Sequence, residues 1–174
     1  MLFRSGFIID ASFTSPIQKF RNLFQLRVRV CCHGGRCTFR LNNDDVTKLV
    51  MALPQLGDLL LGFPCAENTC ATTAACLLSI SVYCVKLGAL EVHFNTTNIV
   101  NDLKNISMDP RYRKLRSLPR CTLWRLYVHA MPLTLDESDL QAVGDGMKDI
   151  FPSMQSIEGP LGAWRELSRE VQGY

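Results

Sequence analysis

The chain has 174 residues, 47% of them hydrophobic and 20% charged, with a formal net charge of +3. That balance excludes a disordered or collagen-like chain, and the length suits one domain able to bury a core without covalent staples. The charge is laid out unevenly: residues 1–41 hold seven basic side chains against one acidic, 42–110 three against seven, 111–132 six against none, and 133–174 three against eight. Two basic blocks alternating with two acidic ones suit a protein that meets a polyanion and also copies of itself.

Residues 1–20 show no sustained period and read as a partly ordered arm in front of a single domain spanning 21–174. Arg4, Asp10 and Lys19 interrupt their apolar patches, so no signal peptide is expected. Leu23 to Cys32 alternates, with Phe24, Leu26, Val28, Val30 and Cys32 on one face and Gln25, Arg27 and Arg29 on the other. His33-Gly34-Gly35-Arg36 reads as a tight turn, because glycine reaches the positive φ angles of short hairpin loops. Cys37, Phe39 and Leu41 then return inward, with Thr38 and Arg40 outward. The expectation is an antiparallel hairpin with one cationic face: Arg27, Arg29, Arg36 and Arg40.

A helix follows, capped by Asn42 or Asn43, with Val46, Leu49, Val50 and Leu53 as its apolar stripe and Pro54 closing it. The run from Ala71 to Leu87 is shorter than the roughly 20 residues that span a bilayer, and it predicts a buried helix ending before Gly88. Leu90, Val92 and Phe94 mark a strand, and Ile99, Val100, Leu103 and Ile106 a short helix. A basic loop, DPRYRKLRSLPRC, leads into one or two strands from Cys121 to Leu135. Thr134 and Glu137 form a candidate capping box for a helix burying Leu140, Val143, Met147, Ile150 and Phe151, and a last helical turn covers Trp164–Val171. No internal repeat is evident. This order predicts an α+β fold: one compact domain in which a small antiparallel sheet packs against several helices.

Eight cysteines stand at 31, 32, 37, 65, 70, 76, 84 and 121, clustered rather than spaced as a disulfide framework, which points to a reduced cytosolic or nuclear protein. Cys31, Cys32, His33 and Cys37 are conceivable zinc ligands, but adjacent strand residues face opposite ways and no second pair stands at finger-like spacing. Core cysteines beside a turn are the default, and no cofactor is expected. With three histidines and no nucleophile-elbow, phosphate-loop or dinucleotide motif, the chain reads as a non-enzyme. The strongest positive feature is basic: Arg111, Arg113, Lys114, Arg116 and Arg120 interleaved with Tyr112 and Leu115. Such a run suits a lipid headgroup boundary or a nucleic-acid backbone.

Three stretches resemble the layout of rhabdovirus matrix proteins, of the short plant-infecting kind. They are LFQLRVRVCC with the helix DDVTKLVMALPQLGDLL, the passage LYVHAMPLTLDESDLQAVGDGMKDIF, and the terminal GAWRELSREV with its Gly162-Ala163-Trp164. The likeness spans roughly residues 22–174, without the lysine-rich arm or proline-rich budding motif of the vesiculovirus type. It implies a viral structural matrix protein that self-associates and bridges the condensed nucleocapsid to the envelope membrane. The implied partners are further copies of the chain, the nucleocapsid, anionic membrane or a glycoprotein tail, and RNA. The implied location is the virion interior beneath the envelope, with the host cytoplasm or nucleus before assembly. Membrane or nucleocapsid contacts are expected at the arginines of the hairpin and at Arg111–Arg120 with Tyr112. Self-association is expected at Phe3, Phe7, Ile8, Asp136, Glu137 and Asp139. The rival readings are a nucleic-acid-binding viral regulator, such as a silencing suppressor, and a small cysteine-dependent enzyme.

Overall fold

The computed structural model describes residues 8–29, 38–62, 70–110, 112, 121–128, 135–159 and 163–172. In chain order its elements are β1 (Ile8–Ile9), α1 (Ala11–Ile17), β2 (Gln25–Arg29), β3 (Thr38–Phe39), α2 (Asn43–Ala52), β4 (Asp58–Gly62), α3 (Cys76–Tyr83), β5 (Ala89–Val92), α4 (Ile99–Met108), β6 (Arg125–Val128), α5 (Glu137–Ile150), β7 (Ser156–Glu158) and α6 (Ala163–Gln172). Strands β2, β4, β5, β6 and β7 form one sheet in that order, every pair parallel, while β1 and β3 form a separate parallel pair.

The expected α+β class with an antiparallel sheet is therefore corrected to α/β. The alternating stretch does form β2, but β2 pairs with β4 and β3 pairs with β1, so the two do not make the expected hairpin. Alternation marks a half-buried strand without naming its partner. The Gly34-Gly35 turn itself lies outside the described residues.

The register also exposes a repeat that the bare sequence conceals. Leu26, Leu59, Leu90, Leu126 and Ile157 stand side by side across the sheet, 33, 31, 36 and 31 residues apart. Around them runs one pattern: Leu23-x-x-Leu26-x-Val28, Leu56-x-x-Leu59-x-Leu61, Leu87-x-x-Leu90-x-Val92, Leu123-x-x-Leu126-x-Val128 and Met154-x-x-Ile157. The hydrogen bonds repeat with it. A three-residue turn precedes four of the strands, Leu23 N–H donating to Phe20 O at 2.8 Å, Leu56 to Leu53 at 3.2 Å, Leu87 to Cys84 at 3.0 Å and Met154 to Phe151 at 3.0 Å. Each strand is then stapled to the next by a carbonyl that accepts two N–H groups. Phe24 O takes Gly57 and Asp58, Gly57 O takes Gly88 and Ala89, Gly88 O takes Trp124 and Arg125, and Trp124 O takes Gln155 and Ser156. A strand, a connection and a helix per turn, with leucines at these spacings, make a leucine-rich α/β solenoid.

The core lies between the sheet and its helices. The inward residues Leu26, Leu59, Leu61, Leu90, Val92, Leu126, Val128 and Ile157 join Leu49, Leu77, Leu103, Met147 and Trp164 in one buried cluster. Leu60 is buried too, yet stays outside that cluster, which places it on the sheet's other side. Side-chain caps begin three of the helices. Asp10 caps α1, Asn42 and Asp45 form a capping box on α2, and Asp136 accepts from Asp139 N–H at the start of α5. Asp136 thus replaces the expected Thr134, which lies outside the described residues. The apolar run from Ala71 yields only the short α3, because Thr72 and Thr73 serve the ladder between turns. Thr72 Oγ1 donates to Leu41 O at 2.6 Å, and Thr73 bridges to Asn95 while its N–H donates to Asn43 Oδ1 at 2.9 Å. No described helix is long and apolar enough to cross a membrane.

Candidate binding site on the open sheet face

Alternate strand residues point away from the helices, and the register sets them in two rows. One row is Gln25, Asp58, Ala89, Arg125 and Ser156; the next is Arg27, Leu60, Glu91, Tyr127 and Glu158, of which Leu60 and Glu91 in the middle are buried and Arg27 and Glu158 at the edges exposed. Charges of both signs cross the face. Arg27 Nη2 stands 3.0 Å from Asp58 Oδ2, which also accepts from Gln25 Nε2. Toward the other edge, Arg125 Nη1 donates to Tyr127 Oη at 2.8 Å. Its guanidinium lies 4.3 Å from the Trp124 ring centroid and 5.7 Å from that of Tyr127. Arg125 Nε stands 3.4 Å from Glu158 Oε1, an ion pair by distance rather than a hydrogen bond. Tyr127's hydroxyl, with help from Glu158, raises the Arg125 pKa, and the same two contacts orient the guanidinium.

Just before the strands the repeat places Phe24, Gly57, Gly88, Trp124 and Gln155 beside one another. A Cβ on Gly57 would stand 2.3 Å from the Phe24 ring, and one on Gly88 2.9 Å from Trp124 Nε1. The two glycines are thus the shelf on which two exposed rings lie.

The residues singled out from sequence do not gather in one place. Arg27 is on the open face beside Asp58, and Arg29 ends β2. Arg40 is exposed past β3, off the five-stranded sheet, its N–H donating to Ile9 O at 2.8 Å. Arg36, Arg111, Arg113, Lys114, Arg116, Arg120, Phe3, Phe7 and the Cys31, Cys32, His33 and Cys37 group lie outside the described residues. Tyr112 is buried in the core cluster. Ile8 is 43% exposed on β1. Asp136 serves as the cap of α5, with its carboxyl held below the usual range chiefly by the Asp139 N–H, and Glu137 and Asp139 sit in that helix's first turn.

Among the described residues no group of three side chains is set to hold a metal ion. Cys70, Cys76, Cys84 and Cys121 are free and buried. Burial pushes the Cys84 thiol up to about 12 and the Cys121 thiol up to about 11, leaving both as poor nucleophiles at neutral pH. Sequence reasoning passed over Trp124, Arg125, Tyr127, Asp58 and Glu158 as site residues. The signal that finds them is their place at the variable positions of Leu-x-x-Leu-x-Leu. No protein-family model, curated protein or solved structure matches the chain.

Proposed function

We propose that the chain is a protein-recognition module that holds a partner polypeptide against the open face of its sheet. The observation that carries this reading is the cluster of Trp124, Arg125, Tyr127 and Glu158, prearranged by stacking, a hydrogen bond and an ion pair at the accessible β6–β7 edge of the sheet face turned away from the core helices. Tryptophan, arginine and tyrosine are the residue types that most often dominate binding energy when clustered. A solenoid that sets them in rows offers an extended surface for a long partner. Two features support binding over catalysis and over polyanion binding. The four described thiols are buried with raised pKa values, and Arg27 and Arg125 each stand beside a carboxylate. The matrix-like layout drew on a hairpin whose strands pair elsewhere, so it lends this reading no support.

Photo-crosslinking tests it. A benzophenone amino acid at Ser156, on the open face, should capture a discrete partner from cells, and Arg125→Glu should abolish that capture. The same group at Lys104, exposed on α4, should capture none. Equal capture from both positions, or from Lys104 alone, would refute the assignment.

A further inference from the structure

The strands are parallel and joined through helices, so all the helices finish at the end of the solenoid where the strands begin. Of the six large apolar side chains exposed among the described residues, five lie at that end. Phe20 and Phe24 fall between α1 and β2, Met51 is in the last turn of α2, Met108 ends α4, and Trp124 precedes β6. Phe20 and Phe24 are each 62% exposed and Met108 is 70% exposed.

The same connections carry exposed Lys19, Arg21 and Lys86, with no carboxylate in residues 18–24, 53–57, 84–88, 121–124 or 151–155. Lys86 bonds only to a neutral group, Gln55 Oε1, at 2.6 Å. Asp58 opens β4, and Asp109, Asp149 and Glu170 stand at the adjoining ends of α4, α5 and α6, beside Lys148 and Arg169. The opposite end gathers acids where helices start: Asp10, Asp44, Asp45, Asp136, Glu137 and Asp139. Lys19, Arg21 and Lys86 thus share one end of the solenoid with the exposed apolar side chains, while the helix-start acids lie at the other, with Arg40 near Asp10 there.

We propose that the basic, apolar end docks on an anionic lipid surface. Phenylalanine, tryptophan and methionine side chains of the α1–β2, α2–β4 and α4–β6 connections enter the headgroup layer, and Lys19, Arg21 and Lys86 meet the lipid charges. Two of the five apolar groups are methionines, which offer no ring for a nucleobase to stack on, and the five are divided among three connections rather than forming one row of rings. Both facts favour lipid over nucleic acid. The attachment is peripheral.

The test is flotation of the full chain with vesicles of phosphatidylcholine alone or with about one third phosphatidylserine, together with tryptophan emission. Trp124 is 42% exposed whereas Trp164 is fully buried, so a blue shift on binding reports Trp124 entering the layer. The wild-type chain should float with the anionic vesicles only, with a blue shift. Lys19→Gln, Arg21→Gln and Lys86→Gln together should cut partitioning roughly a hundredfold, at about fivefold per basic residue. Phe20→Ser with Met108→Ser, both at exposed positions that leave the core intact, should also weaken it while circular dichroism is unchanged. Ser156 and Glu158 variants on the sheet face should float normally, because the lipid-facing end and the partner site share only Trp124. Absence of flotation, flotation unchanged by both variant sets, or binding to single-stranded RNA without binding to vesicles would each overturn the proposal.

Discussion

Gly159 and Gly57 offer a test in which the milder-looking clash should cost more. A Cβ on Gly57 would approach the tip of the Phe24 ring to 2.3 Å, but Phe24 is 62% exposed and can swing into solvent. A Cβ on Gly159 would lie 2.7 Å from Trp164 Cγ and 2.9 Å from its Cβ, the stem of a fully buried side chain on α6. That stem can move only if the helix shifts from β7. Gly159→Ala should therefore cost about 1–3 kcal/mol, the range for overpacking a core. Gly57→Ala should cost less than about 1 kcal/mol, since only surface contacts of one ring are lost. Urea unfolding followed by circular dichroism, read as a change in midpoint at constant slope, compares them directly. In a Phe24→Ala background Gly57→Ala should become neutral or stabilising, because alanine restricts the unfolded chain. Equal costs, or a larger cost at Gly57, would refute the view that rigidity of the neighbour rather than distance decides the outcome.

Two further outcomes follow from the same structure. Asn42→Ala removes the side-chain half of the α2 capping box, in which Asn42 Oδ1 accepts from Asp45 N–H, while the backbone N–H of residue 42 still donates to Asp45; it should cost about 1 kcal/mol, seen as a lower urea midpoint. Cys70, Cys76, Cys84 and Cys121 should resist iodoacetamide at pH 8 in the folded chain and all react in urea, as mass spectrometry would show. Their folded pKa values lie above the ordinary 9.0, so the stabilisation is whole below pH 9 and drains away as pH rises toward 11–12.

Much of the local structure was legible in the sequence, because capping and periodicity are local signals. Asn42 before Asp44 and Asp45 gave α2, the alternation around Leu90 gave β5, and Val143, Met147 and Ile150 gave α5. The pairing was not legible. Gln25–Arg29 alternates the same way whether its neighbour is the chain just beyond a Gly-Gly turn or a strand 33 residues on. The repeat was masked because its fixed positions accept Leu, Val, Ile or Met, and because Cys84 takes the turn position that Leu53 fills one turn earlier. The binding face followed suit: once the strands pair as one sheet, Asp58 meets Arg27 and Glu158 meets Arg125, contacts between residues 31 or more positions apart. Tyr112 looked amphipathic beside its arginines, yet its own ring is core.

The carbonyls that each bind two N–H groups of the following turn bear on how the chain folds. Every ladder contact of the five-stranded sheet joins residues one turn apart, so each closure there spans 31 to 36 residues. Closing such a loop costs about 3 kcal/mol of chain entropy, and a second or fifth turn costs no more than the first. The first pair of turns must meet that cost before a neighbouring surface exists to reward it. Each later turn docks on a finished template and recovers its cost at once. The folding barrier should thus be set by whichever adjacent pair forms first, and lengthening the solenoid would change its stability without slowing that step.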